Sequence, residues 1–170
     1  VWTASFDGVP YVWVCRAYPQ TLEDLGSVSS IRPLSVQFGE HVDLLGYELR
    51  SSEIRSGASI TVTLFWRSDG EVAADNHVFV HLLDEAGTLV AQHDGVPGDV
   101  ERPTWSWQPM EVVSDTHILG PLNDAPGGIY TLSVGMYDYG TQARLPATMP
   151  DGTRVEAGRV PLQEIEVHSP

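Results

Sequence analysis

Apolar residues recur at every second position in three stretches of this chain, and that spacing restricts it to extended backbone. Ile60, Val62, Leu64 and Trp66 alternate with Thr61, Thr63, Phe65 and Arg67. Val78, Val80 and Leu82 alternate with His77, Phe79 and His81, and Tyr130, Leu132, Val134 and Met136 with Ile129, Thr131, Ser133 and Gly135. Side chains on a strand point to opposite faces in turn, so each set marks one buried face. Turn chemistry separates the runs. Asp7-Gly8 divides Trp2–Phe6 from Tyr11–Arg16 and predicts a hairpin. Asp84-Glu85-Ala86-Gly87 divides His77–Leu83 from Thr88–His93 and predicts a second. Ser56-Gly57, Ser68-Asp69-Gly70, Pro126-Gly127-Gly128 and Asp151-Gly152 mark further loops.

Strands at this spacing predict an all-β fold, an antiparallel immunoglobulin-like or jelly-roll β-sandwich of about 7–9 strands. The expected core is Val42, Leu44, Ile60, Val62, Leu64, Trp66, Val78, Val80, Leu82, Tyr130, Leu132, Val134, Met136 and Val160. Gly128-Ile129-Tyr130 resembles a tyrosine corner, in which the phenol hydroxyl bonds upstream backbone while the ring packs inside, and favours the immunoglobulin-like form. Near the end Val160 and Leu162 share one parity and Ile165 and Val167 the other, so a bulge between them is needed to keep one buried face. Pro19–Pro33 keeps no period and reads as a linker. The expected organisation is a hairpin over residues 1–18, a linker over 19–33 and the sandwich over 34–168.

A chain of 170 residues and net charge −14 is one domain's worth of sequence and strongly acidic. It repels phosphate backbones and anionic membrane surfaces, which argues against nucleic acid as a partner. No apolar run approaches the roughly 20 residues of a membrane helix. Cys15 is the sole cysteine, so no intrachain disulfide forms, and it sits in the apolar run Tyr11–Cys15 as a small hydrophobe would.

Several segments together resemble a known family. They are Gly57–Arg67, His77–Asp84, Ala91-Gln92-His93-Asp94-Gly95, Pro103-Thr104 with Trp107 and Pro109, Gly128 with Tyr130, and Gly135 with Tyr137-Asp138. They are similar to the soluble β-sandwich at the C-terminal end of some bacterial multi-pass membrane glycosyltransferases, of the lipid-phosphosugar-dependent mannosyltransferase type. Phe6–Val14 resembles the strand pair that precedes that sandwich. Members of the family often have Pro-Gly-Glu where this chain has Pro109-Met110-Glu111. The family's catalytic machinery is expected in its membrane part. The resemblance therefore implies an accessory domain outside the cytoplasm, attached to a membrane-embedded partner region and without catalytic residues.

Trp105, Trp107, Arg102, Asp94 and Gln108 are the candidate carbohydrate-binding residues. Aromatic faces beside carboxylates and amides suit a sugar ring: C–H faces stack while hydroxyls bond the polar groups. Trp105 is the indole expected outside, and Trp107, in a Trp-x-Pro stretch, the one expected in the core. His77 and His81 share a face with Phe79 between them, four residues apart along the strand, too far to chelate one metal by themselves. His93 is expected on the opposite face from Gln92. Asp94, Asp99 and Glu101 read as solvated loop acids rather than calcium ligands, because the Asp-x-Asp-x-Asp-Gly pattern is missing. No metal, cofactor or catalytic residue is expected, and no carboxyl pair is singled out for glycoside chemistry. The leading expectation is a non-catalytic module that binds a glycan near a membrane glycosyltransferase. The alternatives are a structural or protein-interaction sandwich that packs on a membrane or partner domain, and an independent glycan-active enzyme.

Overall fold

A computed structural model describes residues 2–6, 9–13, 19–25, 30–98 and 102–169, the first two stretches through backbone pairing alone. β1 (Trp2–Phe6) and β2 (Val9–Trp13) pair antiparallel with Phe6 opposite Val9. The Asp7-Gly8 turn and Cys15 lie outside the described residues. The strands that follow are β3 (Ile31–Phe38), β4 (Val42–Leu49), β5 (Glu53–Arg55), β6 (Ile60–Ser68), β7 (Asn76–Leu83) and β8 (Leu89–Gly95). Then come β9 (Val112–Leu119), β10 (Gly128–Asp138), β11 (Ala147–Thr148), β12 (Arg154–Val155) and β13 (Val160–His168).

Two sheets built from these strands pack face to face as an all-β sandwich. One runs β12-β11-β3-β4-β6-β9, the other β5-β13-β10-β7-β8. Neighbours are antiparallel except at one edge, where the short β5 pairs parallel with β13. β3 begins at Ile31, with Arg32 opposite Tyr47 and Pro33 opposite Gly46, so the sheet takes in the last residues of the stretch read as linker. The Pro19 carbonyl accepts a hydrogen bond from the Val112 amide at 2.7 Å.

Every residue of the expected core is in the buried cluster between the sheets. Phe38, Tyr47, Leu119, Ile165 and Val167 join them. Fully burying an aliphatic side chain is worth about 1.5–3 kcal/mol, so this interface is the main stabilising term. Two details anchor it. Tyr130 donates its hydroxyl to the Pro126 carbonyl at 2.7 Å, which is the tyrosine corner. On β13, Gln163 lies opposite Leu132 and Pro161 opposite Ser133, so Leu162 is bulged out between them. That bulge lets Val160 and Ile165 both turn inward. It also frees the Leu162 carbonyl, and the Tyr47 hydroxyl crosses from the other sheet to bond it at 2.8 Å. Burial pushes the Tyr47 phenol above its ordinary pKa.

Candidate functional site

The outward residues of β10, β7 and β8 stand in rows across the five-stranded sheet. Tyr137 is beside His77; Gly135, Phe79 and Asp94 form the next row, and Ser133, His81 and Gln92 the one after. Phe79 is unusual there, because it is only 2% exposed although it points away from the core. Gly135 explains this. A Cβ at position 135 would fall inside the Phe79 ring, so the missing side chain lets the phenyl lie across the sheet. The Arg144 guanidinium covers the ring from outside, 4.6 Å from its centroid, and the His81 imidazole packs at 4.5 Å. Arg144 reaches this face because it bridges Tyr137 in an extra antiparallel pair beyond β13. Its Nη1 donates to the Ala157 carbonyl at 3.4 Å.

Around this stack is an open cleft of about 370 Å³, lined by Phe79, His81, Gln92, Asp94, Tyr137 and Arg144, with Leu89 and Gln142 at its rim. Its polar groups are mixed: the Asp94 carboxylate accepts, Arg144 donates, and the amides of Gln92 and Gln142 do both. His81 Nε2 lies 3.9 Å from Asp94. Burial holds the His81 imidazole below its ordinary pKa, although Asp94 pulls the other way. The Tyr137 phenol is raised by burial and by the nearby Asp94 charge. Beyond the cleft, the Tyr139 ring stacks on His77 at 4.3 Å and is 55% exposed.

The five residues proposed from sequence do not form one cluster. Trp107 is 5% exposed, and its Nε1–H donates to the Arg102 carbonyl at 3.0 Å, so its indole plugs the end of the core. Arg102 donates to the buried Glu111 carboxylate at 2.6 Å, and the Gln108 backbone N–H donates to the same oxygen at 3.1 Å. These three residues hold their own loop in shape. Trp105 is 60% exposed. Its short helical turn is tied to the start of β7 through Thr104, whose hydroxyl bonds Ala74 and Asn76; the Tyr139 amide bonds Asp75 of the same segment. Asp94 alone lies in the cleft. Tyr137, Tyr139, Gln142 and Arg144 were not singled out from sequence. The signal that pointed to them was Gly135 in mid-strand, which marks the close approach of another group.

A second polar set lies between β8 and β9. His93 is on the inner face, opposite Val80, as expected from its parity against Gln92. Its Nδ1 is 2.8 Å from Nδ1 of His117. His117 Nε2 is 2.8 Å from Asp115, which also accepts from Trp66 Nε1 at 3.0 Å and from the Gly98 amide at 3.0 Å. Among the described residues no three His, Cys, Asp or Glu side chains converge on a common point. Asp99 and Glu101 lie outside the described residues.

No family model and no curated protein matches this chain. Solved structures do. One is the C-terminal domain of wzt, at 12% identity over 82% of this chain and 81% of that one, with a TM-score of 0.51. Another is the CARDB domain of a Pyrococcus furiosus protein in complex with di-metal ions. It matches at 13% identity over 78% of this chain and 93% of that one, with a TM-score of 0.42. The first likeness defines the class: a β-sandwich domain. At that identity it speaks for the fold alone.

Proposed function

We propose that this chain is a non-catalytic carbohydrate-binding module that takes a glycan on the outer face of its five-stranded sheet. The observation that carries the reading is the cleft beside the Arg144-capped Phe79, lined by the partly exposed Tyr137 ring, one carboxylate, one guanidinium and two amides. Apolar C–H faces of a pyranose pack on aromatic rings, and its hydroxyls need acceptors and donors together. The exposed ring of Tyr139, stacked on His77 beside Tyr137, extends the aromatic surface at one end. Glycoside hydrolysis needs a pair of carboxyls across the scissile bond. Among the residues lining this cleft only Asp94 supplies one, which supports binding without cleavage.

The motif resemblance supports a place beside a multi-pass bacterial membrane glycosyltransferase, on the extracytoplasmic side. Tethering there would raise the effective concentration of a weakly bound acceptor glycan. A glycan array probed with the wild-type chain and with Asp94→Ala and Arg144→Ala tests the binding. Both side chains are on the surface, so both variants should fold. A restricted set of glycans should bind, with affinity reduced roughly tenfold or more in each variant. Equal binding by the variants would move the site elsewhere, and a silent array would replace this reading with that of a structural or interaction domain. A compartment reporter fused to the parent protein tests the location.

A further inference from the structure

Beside the Arg144 cleft, on the same outer face, is a second cavity of about 510 Å³ between the β7–β8 turn and the turn that precedes β13. Leu83, Thr131, Glu85, Glu156, Arg159 and Pro161 line it, so it offers aliphatic carbon, a hydroxyl, carboxylates and a guanidinium. The two hollows share a floor. Ser133 and His81 are opposite each other on β10 and β7, Ser133 lining the second cavity and His81 the cleft. One row on, Leu83 lines the second cavity, and its partner Leu89 on β8 lines the rim of the cleft. Burial first, and then the charges of Arg144 in the cleft and Arg159 in the cavity, push the His81 pKa down, so both guanidiniums lie within electrostatic reach of one imidazole. Ala157 lines the second cavity, and its carbonyl accepts from Arg144 Nη1. Its φ is 53°, in the left-handed region where a non-glycine residue is strained. Such strain gathers at ligand sites.

We propose that the glycan held in the cleft is a linear, uncharged chain several rings long, whose further rings run along β7 and β10 into this second cavity. This rests on the sugar reading of the cleft and adds the ligand's length and charge. Outward rows on a strand are two residues apart, so the Phe79 row and the Leu83 row are separated by roughly 13 Å. A single pyranose is shorter than that span, and a chain of them fills it. Each ring of a linear glycan presents C–H faces and hydroxyls, so each can use the same mixture of aliphatic carbon and polar groups. A ring bound in the cleft holds its neighbour at high local concentration over the cavity, so weak contacts there still raise affinity. Asp84, Glu85 and Glu156 in the cavity and Asp94 in the cleft outnumber Arg144 and Arg159. The whole chain carries a net charge of −14. Polymers bearing uronate or phosphate are therefore repelled, and neutral ones are not.

Calorimetric titration with size-graded oligosaccharides tests this. The probes are manno-, gluco- and galacto-oligosaccharides from monosaccharide to octasaccharide, the length series of any other neutral glycan that binds on the array, and uronate oligomers of matching length. Affinity for a neutral series should rise with length by roughly tenfold or more before it levels off, and the uronate series should bind more weakly. Arg159→Ala and Glu156→Gln should flatten that rise while leaving the affinity for the shortest bound oligosaccharide unchanged. Glu156 is exposed, so its variant keeps the fold even where that of Arg159 does not. Arg144→Ala should lower affinity at every length. Affinity independent of length, a rise that persists in both cavity variants, or tighter binding of the uronate series overturns the proposal and leaves the cleft a sugar site. Failure of every series to bind, with a silent array, removes the sugar reading of the cleft and this proposal with it.

Discussion

β6 and β9 lie side by side in one sheet and both bury an entire face, but with opposite chemistry. In the shared rows Trp66 is opposite Val113, Leu64 opposite Asp115 and Val62 opposite His117. The β6 residues are held inside by the removal of apolar surface from water. The central β9 residues are polar, and they stay inside because the polar atoms that face inward are partnered. Trp66 joins the two kinds of burial. Its ring meets Phe38 edge-on at 5.5 Å, and its N–H goes to Asp115. Burial and hydrophobicity therefore separate wherever a hydrogen-bond network closes on itself. An apolar face can be recognised from its own strand, whereas a polar one depends on what it meets across the gap.

The largest expected effect is at the polar end of this pair. Asp115→Ala leaves Trp66 Nε1, His117 Nε2 and the Gly98 amide without an acceptor, and should cost about 3–5 kcal/mol in urea unfolding. A loss under roughly 1 kcal/mol would mean that water already serves these donors and that β9 is held by Val113 and Leu119 alone. Leu64→Ala, one strand over in the same row, opens a cavity without orphaning a polar atom and should cost about 2–5 kcal/mol. Tyr47→Phe removes the phenol's hydrogen bonds to the Leu162 carbonyl and to Gln163 Oε1 and should cost about 1–1.5 kcal/mol; no change would show that the bulge needs no partner from the other sheet.

Met110 has φ of 66°, a left-handed conformation that disfavours a side chain. It follows Pro109 in a turn closed by the Glu111 amide on the Gln108 carbonyl at 3.1 Å. Met110→Gly should therefore raise stability by up to about 1 kcal/mol, read as a higher Tm. The smallest effect concerns pH. The folded-state pKa of His81 is lowered by burial, so the unfolded chain takes up its proton first as pH falls. The stability tied to neutral His81 is complete above the ordinary histidine pKa of 6.5 and is lost as pH drops from there through the lowered folded value. An NMR titration should find the His81 midpoint below 6.5, and His81→Gln should flatten the acid limb of the stability curve.

The alternation in β6, β7 and β10 was legible because each strand has one purely apolar face. The parity slip between Leu162 and Ile165 was legible for a related reason: a single buried face cannot survive it without a bulge. β9 was not legible, since Asp115 and His117 occupy two of its inward positions and erase the pattern. The loop acids and indoles drew attention by composition, yet Trp107 and Arg102 turn out to hold their own loop. The cleft was missed because its parts come from β7, β8, β10 and the segment around Arg144, each polar enough to pass for ordinary surface.

The sequence by itself determined that the chain forms two-faced strands around one apolar interior, because the period-two placement of its large side chains admits no other way to remove them from water. It also determined the tyrosine corner and the need for a bulge in the last strand. Only the tertiary structure decided which polar residues belong together. Hydrogen bonds and ring stacking act over a few ångströms, and the pairs that matter here, His93 with His117 and Phe79 with Arg144, are brought within that range by strand order and register.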